Sequence, residues 1–391
     1  MQNFKFFILY VVLLIVTACN KENNPAPLDS GSGTATVLPV TISFPEAVFT
    51  NTDQVSQRIA STTIMDRLIS LVDATPEKAS IHVSIFGFDY PALVNALIRA
   101  SNRGVKLLIM IDMSNDDTRK ENAGTVARLK AALKAPSEVV IVTNDAGDIA
   151  INHNKFALFS EVKTKDGSAE NIVFQASHNF TLADTRKVQD AIVLSHLGLY
   201  EAYASYWLDT REKAAKDMKY YAYREFSDAT AGIYAYFLPK RKYGVFHGED
   251  TIIEILNEIP NPSTATIRIG MSLWTDTRLN IVEKLDQLMD QGAKVEIISK
   301  PGIGEKVYAG LLKLEKKGAN ITMFSKTNIH SKFMLIEGTQ DGASYNVIVA
   351  GNQNFTRNAL RYNNEVILML KNSELYQQYD DLFRELKELP E

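Results

Sequence analysis

At 391 residues, with 46% hydrophobic and 23% charged side chains, the chain has the make-up of a folded protein with two or three full-sized domains. A disordered tail and a stapled mini-protein are both excluded. A formal charge of −4 argues against a protein that coats nucleic acid by bulk attraction, although a local basic groove stays open. The single cysteine, Cys19, excludes an internal disulfide and every CxxC-type zinc or redox motif.

Residues 1–18 read MQNFKFFILYVVLLIVTA, with one charged side chain, Lys5, and an unbroken apolar run from Phe6 to Val16. This is the pattern of an export signal, and it is shorter than the roughly 20 residues a permanent span needs. Val16-Thr17-Ala18-Cys19 resembles a bacterial lipoprotein signal, which implies cleavage before Cys19 and acylation of that cysteine. Residues 19–45 are expected to be a flexible tether, because they begin with a stretch rich in Asn, Pro, Ser and Gly and without apolar periodicity. Asn20 resembles the residue that follows the cysteine in outer-membrane lipoproteins. The expected location is therefore the bacterial cell envelope, lipid-anchored at the outer membrane, with the periplasmic or surface side undetermined.

The rest of the chain repeats itself. SIHVSIFGF, ALVNALIRASN and KLLIMID in the first half correspond to TIRIGMSLW, LNIVEKLDQLMD and VEIIS in the second. Both helical stretches end at a glycine suited to a left-handed cap, Gly104 and Gly292. Strand, helix, strand of this length implies parallel pairing. A second helical stretch and a third strand follow in each copy.

Next comes His153-Asn154-Lys155 before FALFS, and His330-Ser331-Lys332 before FMLIE. Each is followed by a further strand and an Asn-Phe-Thr triplet beginning at Asn179 or Asn354, and then, 11 residues after each asparagine, by Asp190 or Glu365. The same series in the same order reports a structural duplication.

At these residues the sequence resembles the phospholipase D superfamily, whose signature is HxKxxxxD followed by Gly-Ser/Thr/Asn-x-Asn. The resemblance covers roughly residues 46–391. Two positions depart from the signature: the acid five residues after the lysine is Ser160 in one copy and Glu337 in the other, and the glycine before the first polar pair is Ala176. Ser177 and Asn179, and Asn352 and Asn354, match the polar pair. The resemblance implies an α/β protein of two similar lobes, each a mostly parallel or mixed sheet flanked by helices, packed about a pseudo-twofold axis around one site. Lobe 1 is expected at 46–210, a bridging segment at 211–250 and lobe 2 at 251–391. One chain then completes a site without a partner.

A phosphodiester anion repels nucleophiles, so a site that cleaves it must first neutralise its nonbridging oxygens. Lys155 and Lys332 supply positive charge, and Asn179 and Asn354 supply amide donors. One neutral imidazole attacks phosphorus while a second, protonated, donates to the leaving oxygen. The resemblance assigns His153 as nucleophile and His330 as acid and base, roles that near-symmetry leaves exchangeable. Asp190 and Glu365 are each expected to hold a histidine ring nitrogen, and Ser177 and Asn352 to contact substrate or serve turns. His82, His178, His196 and His247 form no metal-ligand motif, so neither a catalytic metal nor a cofactor is expected.

Phe86, Phe88 and Trp274 follow the first strand of each repeat, where they either line the mouth or pack in the core. Lys240-Arg241-Lys242 touches phosphate or membrane, or is a solvated turn. The leading expectation is an exported phosphodiesterase that hydrolyses the head-group bond of a phospholipid. A metal-independent nuclease-like member and a degenerate phosphate-binding surface protein remain the alternatives.

Overall fold

Runs such as KFALF and KFMLI are apolar at consecutive positions, the pattern of strands covered on both faces. A computed structural model describes residues 36–143, 150–214, 221, 223–242 and 245–389, and in it these runs are central strands of two mixed sheets. The expected signal peptide and Cys19 lie outside the described residues.

The first sheet holds β1 (Glu46–Phe49), β2 (Ser80–Ile85), β3 (Lys106–Asp112), β4 (Glu138–Val142), β5 (Lys155–Thr164), β6 (Gly167–Ala176) and β7 (Asp190–Ser195), in the order β1-β7-β6-β5-β2-β3-β4. After it come β8 (Arg224–Asp228), β9 (Ile233–Phe237) and a small ribbon of β10 (Arg241–Lys242) and β11 (Val245–Phe246). The remaining strands are β12 (Thr266–Met271), β13 (Lys294–Ser299), β14 (Asn320–Met323), β15 (Lys332–Gln340), β16 (Ala343–Gly351) and β17 (Val366–Leu370). The second sheet runs β14-β13-β12-β15-β16-β17-β9-β8.

The two sheets share one topology. Three parallel strands, β2-β3-β4 or β12-β13-β14, continue through an antiparallel meander, β5-β6-β7 or β15-β16-β17. The helices Pro91–Asn102 and Leu279–Asp290 make the crossovers. Each ends as the sequence predicts, at Gly104 (φ +90°) and Gly292 (φ +100°). At both ends paired backbone bonds close the last turn: Gly104 N–H to Ser101 and Val105 N–H to Ala100 in one, Gly292 N–H to Met289 and Ala293 N–H to Leu288 in the other.

Side chains on opposite faces of the same strand enter different cores. Phe156 and Leu158 of β5 join Phe333 and Leu335 of β15 in a central core with Tyr203, Tyr206 and Trp207 of helix Leu197–Ala214 and Tyr379 and Phe383 of helix Ser373–Lys387. Ala157 and Phe159 face an outer core with Leu68 and Leu97, and Met334 and Ile336 face another with Leu285 and Leu311. The result is five layers, helix, sheet, helix, sheet, helix. Each buried Phe or Leu contributes about 1.5–3 kcal/mol relative to exposure. The central aromatics keep their polar tips bonded: Trp207 Nε1–H donates to Val83 O at 2.8 Å and Tyr206 OH to Leu238 O at 2.9 Å.

Two segments differ from their sequence assignment. The last part of the expected tether is attached to lobe 1, since Val40 is buried and its N–H donates to Lys163 O at 2.9 Å; the apolar run Val37-Leu38-Pro39-Val40 accounts for it. In the expected bridge, β8 and β9 extend the second sheet beyond β17. The alternation of IYAYF, with Ile233, Ala235 and Phe237 buried, is what a covered strand requires.

Candidate active site

β5 and β15 each begin at a motif lysine, and sheet register gives the two the same surroundings: Lys155 lies opposite Ile85, and Lys332 opposite Met271. The histidines sit just before these strands, where short parallel bridges join the lobes, Asn152 to Asn364 and Val188 to Ile329. His153 N–H donates to Asn364 O and His330 N–H to Val188 O, both at 2.9 Å. Each histidine segment is thereby fixed by the acid-bearing segment of the other lobe.

The side chains continue this exchange. His153 Nδ1 lies 2.9 Å from Glu365 Oε2, and His330 Nδ1 lies 2.8 Å from Gln189 Oε1. Lys155 Nζ donates to His153 O at 2.9 Å, and Lys332 Nζ to His330 O at 2.6 Å. The Phe86 ring meets the His153 imidazole edge-on at 5.1 Å and takes the Lys155 ammonium over its face at 5.5 Å. Of the three aromatics weighed in the sequence, Phe86 therefore belongs to the site. Phe88 and Trp274 are fully buried against Phe180 and Phe355.

Asp190 does not hold a histidine, which corrects the sequence expectation. It is buried, its Oδ1 accepts Ser177 Oγ–H at 2.8 Å, and its Oδ2 accepts Tyr379 OH at 2.9 Å. Register explains why. Gln175 pairs with Ile192, and Ala350 with Leu368, so counting back along each strand places Gln189, not Asp190, on the position of Glu365. The connection after Asn354 includes the helix Arg357–Arg361, where the one after Asn179 has only the short turn Asp184–Arg186, and the longer connection takes one more residue.

Ser177 and Asn352 are fully buried and turned inward. Ser177 bonds Asp190, while Asn352 Nδ2 donates to His153 O at 2.6 Å and its Oδ1 accepts Val366 N–H at 2.8 Å. Both residues hold the site's backbone through these bonds, the structural role the sequence reading set beside substrate contact. Asn179 and Asn354 remain partly exposed. At the departures from the signature, Ser160 Oγ accepts Ser80 N–H at 2.8 Å, and Glu337 accepts from Tyr376 OH at 3.1 Å beside Arg268. Both positions keep a supporting role.

Asp184, unremarked in the sequence, joins the site. Its Oδ2 accepts Asn179 N–H at 2.8 Å and its Oδ1 pairs with Lys187. Burial would raise this carboxyl, but His330, His178 and Lys187 hold it below the usual carboxylate range. Burial, then the ammoniums of Lys155 and Lys332, hold His153 well below the ordinary imidazole value. Burial and Lys332 do the same to His330, against the pull of Asp184. Lys155 is pushed down by burial to about 8, and Lys332 well down by burial and Lys155. Burial pushes Glu365 well up, opposed by Lys155. Two crowded lysines beside two imidazoles whose protonation is disfavoured make a receptor that gains most from an anion. Among the described residues no group of His, Cys, Asp and Glu is arranged to hold a metal ion.

The model of the family described as cardiolipin synthase, PLD-like domain, matches residues 68–206 and 255–387, one stretch in each lobe. The chain belongs to this branch of the phospholipase D superfamily. Among curated proteins it is similar to the phospholipase D of Rickettsia conorii, 28% identical over 136 residues, and to that of Rickettsia typhi, 30% over 138 residues. Each alignment covers 34% of this chain, and the chain spans only 57% and 58% of those relatives' lengths.

Among solved structures, phosphatidylserine synthase of Haemophilus influenzae superposes with a TM-score of 0.56 at 11% identity, over 90% of this chain and 88% of that one. Polyphosphate kinase of Porphyromonas gingivalis gives 0.54 at 14% identity, over 87% of this chain and 50% of that one. At such identities the likeness is one of fold. Family and relatives together support a phosphodiesterase of the superfamily.

Proposed function

We propose that the chain is a phospholipase D-type phosphodiesterase that hydrolyses the head-group bond of a phospholipid through a covalent phosphohistidine. The observation that carries this reading is the convergence of His153, Lys155, His330 and Lys332 on one site, each histidine bonded at Nδ1 and so left with Nε2 for chemistry.

Lys155, Lys332, Asn179 and Asn354 take the nonbridging oxygens. His153 Nε2 attacks phosphorus, the bond from phosphorus to the leaving oxygen breaks, and that oxygen takes the proton from His330 Nε2. In the second half a water loses a proton to His330 Nε2 and attacks phosphorus, and the phosphorus–nitrogen bond breaks. His153 is given the covalent role because Glu365 can balance the positive charge of a phosphorylated imidazole.

A lipid substrate is favoured by the mildly acidic chain and by the lipoprotein-like segment ending at Cys19, whose acylation, anchoring the chain at the outer membrane, is part of the proposal. The test is rapid-quench mass spectrometry of the protein mixed separately with phosphatidylcholine vesicles and with short DNA, in chelator. An acid-labile phosphoryl adduct on His153 with free head group released supports the reading. Turnover of DNA alone would move it to nucleic acid, and no adduct or product from either would leave a phosphate-binding protein.

A further inference from the structure

The two histidines are held by chemically different partners, and the difference follows from hydrogen bonds in which each atom has one role. Gln189 is fully buried. Its Nε2 lies 3.1 Å from the backbone carbonyl of Asp184, and its Oε1 lies 2.8 Å from His330 Nδ1. A carbonyl oxygen only accepts, so the amide nitrogen must be on the Asp184 side. The amide oxygen facing His330 also only accepts, so the proton must be on Nδ1. Lys332 Nζ approaches the same nitrogen at 3.3 Å, but its closer bond is to His330 O at 2.6 Å.

We infer that Gln189 is a positioning residue that locks His330 in the Nδ1–H tautomer and, lacking charge, makes it the less basic of the two site imidazoles. The inference rests on the phosphodiesterase reading for its kinetic consequence, but not for the tautomer. Glu365 lies 2.9 Å from His153 Nδ1 and, once ionised, supplies a counter-charge when that ring becomes cationic. Gln189 gives His330 a fixed tautomer without a counter-charge. The charged groups that act most strongly on His330 are Lys332 at the start of β15, Lys155 on β5, and Lys187 and Asp184 on the segment before β7. The three lysines oppose an imidazolium, and Asp184 favours it.

A weakly basic acid–base histidine donates readily to an alkoxide leaving group but is protonated only at lower pH. The alkaline limb of the pH–rate profile is therefore set by His330 and lies lower than a carboxylate partner would place it.

The test compares the full chain with its Gln189→Leu and Gln189→Glu variants. ¹⁵N-histidine NMR reads the His330 tautomer, and kcat and KM are followed across pH on a soluble phosphodiester. Wild type is expected to show the Nδ1–H form. Gln189→Leu is expected to lose that preference and about 10²-fold in kcat, with KM little changed. Gln189→Glu should restore the tautomer and most of the rate, and shift the alkaline limb up by about one unit or more. A folded Gln189→Leu protein with the wild-type tautomer, or a Gln189→Glu protein with an unmoved alkaline limb, would overturn the inference. Absence of turnover by wild type on any phosphodiester would instead defeat the proposed function, and the NMR result would still decide for or against Gln189.

Discussion

His153 Nδ1 and Glu365 Oε2 stand 2.9 Å apart across the two lobes, although 212 residues separate them in the chain. Burial pushes this carboxyl up, but once ionised it orients the ring and stabilises any positive charge the ring acquires. Glu365→Gln keeps the hydrogen bond and removes the charge. It should lower kcat by about 10²-fold with little change in KM, as steady-state kinetics on vesicles or a soluble phosphodiester will show. An unchanged kcat would remove Glu365 from the chemistry.

The two histidines should fail differently. His153→Ala should form no phosphoryl adduct with any substrate. His330→Ala should still form one from a p-nitrophenyl phosphodiester, whose leaving group needs no proton, and the adduct should persist because no base activates water. Quenched-flow mass spectrometry distinguishes the two variants, and the reverse pattern would exchange the roles.

Lys155, pushed to about 8 by burial, makes anion binding sensitive to pH. Below that value the ammonium is charged and attracts an oxyanion. Above it, binding must first take up a proton. Affinity for tungstate, measured by calorimetry, should hold from pH 6 to 7.5 and then weaken, approaching tenfold per pH unit. Lys332, also lowered, acts in the same direction. Lys155→Met should bind weakly at every pH.

Stability should fall in acid through His82, a buried residue of β2 whose ring meets Trp207 edge-on at 5.4 Å. Burial and then Lys106 lower its value from 6.5 to about 4. The unfolded chain therefore takes up this proton first, and stability decreases as pH falls from 6.5 toward 4, by about 3 kcal/mol in all. His82→Phe should make that decline shallower by one proton's worth. Urea unfolding at pH 7 and 4.5 measures it, and equal slopes in the two proteins would exclude His82 as the source.

The duplicated architecture was legible because strands covered on both faces and helices closed by Gly104 and Gly292 leave strong local patterns. The histidines and lysines were legible because their spacing within a strand entrance is rigid. Glu365 meets a histidine as expected and Asp190 does not, since equal distance along the chain stood in for equal place in the sheet. A single residue taken up by the helix Arg357–Arg361 breaks that equivalence, and only strand pairing reveals it. Gln189 and Asp184 carried no signal, because an amide and a turn aspartate acquire meaning here through groups from the other half of the chain. β8 and β9 were missed because aromatic alternation near a charged cluster reads equally well as a surface segment.

The exchange of backbone bonds between Asn152 and Asn364 and between Val188 and Ile329 bears on how the repeat can tolerate damage. A sequence repeated within one chain suggests a spare of everything, but here each half supplies what seats the other's histidine. Disruption of the segment at Gln189 should be felt at His330, and disruption at Glu365 at His153, which makes the two halves mutually dependent rather than redundant.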